Sequence, residues 1–233
     1  MIKNLTVLGV VPARGGSKGL KDKNLQKIGD LSLVELALKC GLASAYIDRT
    51  CVSTDSDEIA KVADLYSQGA APFRRPDQLS GDLIGDYEVL RHALETMEIL
   101  SGCTFDIVVM LQPTSPLRTT SIIDQGIEKL VNENCDSVWS VSEVDLKYHP
   151  LKQLTSADGS QFDHYLSDGS SIIARQQLDK TFIRNGMCYA IARSTIIQQE
   201  SIKGINSQLL ITQGEAISID NQYDLDRCRS ILF

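Results

Sequence analysis

The sequence predicts an α/β fold, a mostly parallel sheet with helices on both faces. Three observations predict it. Strand-like and helix-like segments alternate through the first half of the chain. The strongest strands are continuous apolar runs, as expected when both faces of a strand are covered. A glycine-rich basic loop follows directly on the first of them, and in such sheets ligands bind beyond the carboxyl ends of the strands.

The elements follow in order. Residues 5–11 (LTVLGVV) form a buried strand that stops at Pro12. Leu33, Leu36, Ala37 and Cys40 repeat at helical spacing, residues 47–53 form a second strand, and residues 56–66 a helix with Ile59, Val62, Ala63 and Tyr66 on one face. A short strand is expected at residues 70–73 and a helix at 84–100. DIVVMLQP (106–113) is the best strand, stopped by Pro113 and Pro116. Thr119, Thr120 and Ser121 are cap candidates for a helix carrying Ile123, Ile127, Leu130 and Val131, and residues 136–144 form the next strand. Regularity breaks between about residues 146 and 185, a polar, turn-rich stretch read as an excursion from the sheet. It returns with strands at 187–193 and 215–220 and a C-terminal helix. The expected organisation is therefore a single domain over residues 1–233 with an excursion at about 146–185.

Composition narrows the function. The 233 residues are 42% hydrophobic and 23% charged with a net charge of −7, which fits one compact, ordered domain and disfavours general nucleic-acid binding. No apolar run reaches the ~20 residues that cross a bilayer. The N-terminal apolar stretch has no small-residue cleavage site, so neither a signal peptide nor a membrane partner is expected and the location is read as cytoplasmic. Six cysteines show no CxxC pair, and three histidines no paired spacing, so a disulfide framework and a histidine-built metal site are both disfavoured.

The loop PARGGSKGLKDKN (12–24) carries the chemistry. Its glycines let the backbone bend tightly and bring N–H groups to a ligand. Between residues 14 and 27 there are five basic side chains (Arg14, Lys18, Lys21, Lys23, Lys27) against one acid, Asp22. Such a reversal of charge in an acidic protein suits a polyphosphate. The loop matches neither GxxxxGK[ST] nor GxGxxG, which disfavours an ATPase P-loop and a nicotinamide site.

At these residues the chain resembles the acylneuraminate cytidylyltransferases, or CMP-sialic acid synthetases. VPARGGSKGLKDKNL is similar to their N-terminal signature. VSTDSDEIAKVA (52–63), RRPDQLSGD (74–82), LQPTSPLR (111–118), YHPLK (148–152), RQQL (175–178), RNGMCYAI (184–191) and SIDNQYDLD (218–226) agree in order over nearly the whole chain. The resemblance implies a Rossmann-like nucleotidyltransferase fold. It implies a Mg²⁺-dependent reaction in which the anomeric hydroxyl of a nine-carbon 2-keto sugar acid attacks the α-phosphorus of CTP, giving a CMP-sugar and pyrophosphate. It also implies a homodimer in which the excursion reaches the neighbouring subunit's sugar pocket.

The resemblance further implies roles for single residues. Arg14 and Lys18 hold the triphosphate and are the catalytic candidates. Gly15, Ser17 and Lys23 belong to the same nucleotide loop, and Asn24 and Arg75 fall where the family contacts the CTP nucleoside. Gln112 matches a sugar-contacting glutamine, while Lys152 and Arg175 match basic residues on the sugar side, suited to a carboxylate. Two departures stand out. The family commonly ends its last core strand with two metal-binding aspartates one residue apart. Here the first is Ser218 and only Asp220 remains as a metal ligand, with capping of the following helix as its alternative role. Asp86 falls where relatives often carry a small hydroxyl residue, and its carboxylate could accept from the exocyclic amine of cytosine.

Asp55-Ser56-Asp57 looks like a glycosyltransferase DxD, but it precedes a helix and reads better as helix-start carboxylates. The leading expectation is N-acetylneuraminate or a close relative as the sugar acid. The alternatives are a CMP-legionaminate or CMP-pseudaminate synthetase, a glycosyltransferase using the Asp55–Asp57 pair, and a catalytically silent nucleotide-sugar binding protein.

Overall fold

A computed structural model describes residue 2 and residues 4–232. The chain enters through β1 (Val7–Pro12), then the basic loop, then a small antiparallel hairpin of β2 (Lys27–Ile28) and β3 (Leu31–Ser32). α1 (Leu33–Leu42) starts at a reciprocal cap: the Ser32 side chain accepts from the Glu35 N–H and the Glu35 carboxylate accepts from the Ser32 N–H. β4 (Arg49–Ser53) and α2 (Asp57–Tyr66) follow, α2 capped by Ser56. α3 (Asp86–Ser101) ends at Gly102 in the left-handed region. Next come β5 (Ile107–Met110), then α4 (Thr120–Glu133), capped by Thr119 as the sequence suggested, and β6 (Ser137–Glu143). A short hairpin pairs β7 (Leu154–Thr155) with β8 (Asp163–His164), after which β9 (Phe182–Ala192), α5 (Arg193–Ile197), β10 (Ser207–Ile211) and α6 (Gln222–Leu232) complete the chain.

The central sheet is mostly parallel, in the order β10-β6-β9-β5-β1-β4. β1 runs parallel to both β4 and β5, and β9 is antiparallel to β5. Alternate side chains of each central strand feed two cores. Val7 and Val11 of β1 and Ile107 and Val109 of β5 pack with Ala37, Leu38, Ala63 and Ile127 from α1, α2 and α4. Leu8, Val10, Val108 and Met110 pack on the other face with Leu90, Ala93 and Leu94 of α3. This two-sided burial is why those strands read as unbroken apolar runs. Each fully buried aliphatic side chain contributes about 1.5–3 kcal/mol relative to exposure.

Two of the expected strands differ. Residues 70–73 make a turn rather than a strand: Ala70 lends its carbonyl to Val52 N–H at 2.7 Å, Ala71 N–H turns to Asp64 Oδ1, and Pro72 has no N–H to donate. Residues 215–220 are extended but unassigned to any sheet. Ile217 and Ile219 are buried beside Ile28, Leu33, Leu225 and Cys228, so their period-two pattern comes from a small satellite core, with Ile219 N–H reaching Thr114 O. The edge strand beside β6 is instead β10, whose half-buried pattern carried no clear signal.

The chain divides into two compact units, residues 1–140 with 185–233, and residues 141–184. The second contains the β7–β8 hairpin and several 3-10 turns. His149 is buried in it and its Nδ1 accepts from the Leu151 N–H, opening the turn Pro150–Lys152. Asp158 gathers the Ser160 and Gln161 N–H groups at a loop, and those bonds pull its pKa down to about 2.

Candidate active site

After β1 the chain goes out to β4 on one side and returns to β5 on the other. The carboxyl ends of β1 and β5 therefore mark the point where the strand order reverses. A cleft of about 410 Å³ opens there. Pro12, Arg14, Ser17, Lys18, Gly19, Lys23 and Asn24 line it from the β1 side, and Gln112, Pro113 and Thr114 from the β5 side. Arg75, Asp82, Asp86 and Asp220 complete its polar wall.

The loop is held from beneath rather than by its own charge. Asn24 is buried and its amide donates to Arg14 O at 2.9 Å, closing the turn on itself. Gly19 approaches the Asp220 carbonyl so closely that a Cβ would lie 2.6 Å from that oxygen, so the position requires glycine. Gly15 differs from the expectation. It lies off the cleft, because its N–H is given to Asp55 Oδ1 at 2.9 Å instead of being offered to a ligand.

Asp55 also stands 3.7 Å from the guanidinium of Arg75, which is only 4% exposed and donates to Ser80 Oγ. Burial lowers the pKa of Arg75; the nearby carboxylate opposes that shift and Arg14 adds to it. The helix-start reading holds for Asp57, the first residue of α2, which pairs with Arg74. Asp55 instead braces the glycine loop and Arg75.

A further acid, absent from the sequence-based candidates, sits among the cations. Asp82 accepts from Arg14 Nη1 at 2.6 Å and pairs with Lys18 Nζ. Its carboxyl pKa is lowered chiefly by the Lys18 bond and then by the Arg14 bond. Nothing local in RRPDQLSGD marks Asp82 as special; the contact spans 68 positions.

Asp86 lines the cleft as the first residue of α3, where a carboxylate also suits the positive helix end. Lys23 Nζ donates to Asp220 Oδ1 at 2.9 Å. The capping alternative for Asp220 does not hold, because Asn221 Oδ1 accepts from Asp224 N–H and Asp224 Oδ2 accepts from the Asp220 and Asn221 N–H groups. The Asp220 side chain faces the cleft instead. Among the described residues no cluster of three His, Cys, Asp or Glu side chains could cage a metal. Asp220 fits the other mode of Mg²⁺ binding, in which one carboxylate is joined by substrate phosphates and water. Lys152 closes the turn Pro150–Lys152 and Arg175 opens the turn Arg175–Gln177, both in the second unit.

A sequence profile described as cytidylyltransferase matches residues 8–211. The chain belongs to the cytidylyltransferase family. A flagellin-modification protein, "Post-translational flagellin modification protein B" of Campylobacter coli, is 30% identical over 94% of this chain and 91% of its own length. The CMP-N,N'-diacetyllegionaminic acid synthase of Legionella pneumophila is also 30% identical, over 94% of this chain and 93% of its own. Among solved structures, a CMP:2-keto-3-deoxy-manno-octonic acid synthetase complexed with CTP superimposes with a TM-score of 0.75, covering 97% of this chain and 98% of its own at 14% identity. That likeness establishes the shared nucleotidyltransferase fold.

Proposed function

We propose that this cytidylyltransferase couples CTP to a nine-carbon 2-keto sugar acid, releasing pyrophosphate. The observation that carries the reading is the cleft at the β1 and β5 ends, where Arg14, Lys18, Lys23 and Arg75 face Gln112 across one cavity. The similarity to CMP-diacetyllegionaminate synthases and to N-acylneuraminate cytidylyltransferases, at comparable identity, supports a nonulosonic acid as acceptor, with N-acetylneuraminate and legionaminate both candidates.

In the proposed reaction the anomeric oxygen forms its bond to the α-phosphorus as the bond to the pyrophosphate oxygen breaks. Such a transfer needs positioning and charge stabilisation more than covalent chemistry. Arg14 and Lys18 are the cations for the departing pyrophosphate, with Ser17 in the same loop. Arg75 and Asp86 lie on the nucleoside side, and Gln112 holds the sugar. Lys152 and Arg175 are proposed for the sugar carboxylate. Mg²⁺, bound through Asp220 and the nucleotide's own phosphates, would neutralise charge as it builds on the leaving group.

We also propose a homodimer formed through the second unit, which exposes Tyr148, Phe162, Tyr165, Ile173 and Ile183. A cytoplasmic location is proposed from the scattered cysteines, all free among the described residues.

The test is a pyrophosphate-release assay with CTP, Mg²⁺ and a panel of N-acetylneuraminate, diacetyllegionaminate and pseudaminate. Turnover with one of these acids supports the reading. CTP binding without pyrophosphate release from any of them contradicts it and favours a silent nucleotide-sugar binder.

A further inference from the structure

The ladder between β5 and β9 ends at the pair Met110–Tyr189. Beyond it the two segments continue towards the cleft as Gln112 on one side and Gly186–Met187 on the other. One side chain bonds to both of them there. Arg118, which is buried, donates from Nη2 to Gln112 O at 2.6 Å and to Gly186 O at 2.9 Å, and from Nε to Met187 O.

This is an unusual use of a charge. Among the described residues no carboxylate pairs with Arg118. Burial lowers its pKa to about 10, which still leaves it cationic at neutral pH. A buried cation costs several kcal/mol unless its donors are met, and here three of the five guanidinium N–H groups go to backbone carbonyls. The sheet itself does not need this clamp, because β5 and β9 are already paired. What the clamp does fix is the spacing where they separate.

The neighbouring glycine shows what depends on that spacing. Gly186 has φ +69°, and a Cβ there would lie 2.4 Å from Gln112 Oε1 and 2.5 Å from Ser115 Oγ. Ser115 Oγ in turn donates to Asn185 O at 2.8 Å. The Gln112 amide therefore rests against bare backbone whose position the guanidinium sets.

We propose that Arg118 is a positioning residue for Gln112. By holding the Gln112 carbonyl to Gly186 and Met187 it orients the Gln112 amide for the sugar acid, and it tunes sugar binding rather than nucleotide binding. This rests on the cytidylyltransferase reading above, with Gln112 on the sugar side.

The experiment compares the wild-type protein with Arg118→Lys, Gly186→Ala, Gln112→Ala and the double variant Arg118→Lys/Gln112→Ala. Pyrophosphate release gives KM and kcat for the sugar acid, and calorimetry gives the Kd for CTP. Gly186→Ala displaces the Gln112 amide while keeping the Arg118 side chain itself, so it serves if Arg118→Lys fails to fold.

The expected result is a rise of about tenfold in sugar KM for Arg118→Lys and for Gly186→Ala, the size of one lost hydrogen bond. The CTP Kd should move less than twofold, and Arg118→Lys should add nothing in the Gln112→Ala background. Full additivity in the double variant, or equal weakening of CTP and sugar, overturns the proposal. Absence of wild-type turnover with every acid removes the sugar-acid reading and this proposal together, whereas wild-type turnover with additive variants removes this proposal alone.

Discussion

The Asp82 carboxylate accepts a hydrogen bond from Arg14 at 2.6 Å, and the same carboxylate pairs with Lys18. Without nucleotide, the two cations proposed for the triphosphate are thus neutralised by an acid from another segment. CTP must displace that acid. Asp82→Asn is therefore expected to bind CTP about three- to tenfold more tightly at low ionic strength, because exposed ion pairs are individually weak. Calorimetric titration checks this, and weaker binding by the variant would show that Asp82 helps the nucleotide rather than competes with it.

Asp55 takes the Gly15 N–H at 2.9 Å and stands beside the buried Arg75. Asp55→Ala leaves a donor unmet and a guanidinium without its neighbouring carboxylate. The expected cost is about 1–3 kcal/mol in unfolding free energy, with CTP affinity falling about tenfold as the loop loosens. Denaturant unfolding and CTP titration on the same preparation measure both; a change in stability without a change in affinity would separate Asp55 from the nucleotide site.

Much of this was legible in the sequence, for identifiable reasons. β1 and β5 announce themselves because both faces are buried, Val7 and Val11 on one side and Leu8 and Val10 on the other. Residues 70–73 and 215–220 misled because a strand also needs a neighbour to pair with, and an apolar alternation such as Ile217/Ile219 is equally satisfied by a satellite core. The site's basic loop was legible because its charge is contiguous. Asp82 was not, since its role arises only when a chain segment 68 residues away folds over it. Asp55 was half-legible: the acidic pair was visible, but helix-start logic accounts for Asp57 alone.

Asp220 is the proposed Mg²⁺ ligand, and Lys23 Nζ donates to its carboxylate. Asp220→Ala is expected to lower kcat about 100-fold or more, with the CTP Kd changed by less than threefold, as for a group that acts on developing charge. Pyrophosphate release measured across a Mg²⁺ series tests it. An unchanged kcat would move the metal away from Asp220.

Glu98 near the end of α3 makes a two-pronged pair with Arg193, at 2.8 and 2.9 Å, and accepts from Phe105 N–H. Arg193 first, and the Phe105 bond further, hold the Glu98 pKa below the ordinary value of 4.5. A depressed folded-state pKa contributes stability above the unfolded value and loses it as pH falls through the folded one. The wild-type advantage over Glu98→Gln, about 1–2 kcal/mol at neutral pH, should therefore persist down to about pH 5 and shrink below pH 4. Thermal melts between pH 3 and 7 give the comparison, and a constant offset would mean that the charge on Glu98 contributes nothing.

The most direct measurement is a crystal structure with CTP bound. The account predicts the triphosphate lying along Arg14 and Lys18 at the β1 end, with Asp82 moved off both. A nucleotide bound elsewhere, with the Arg14–Asp82 pair intact, would contradict it.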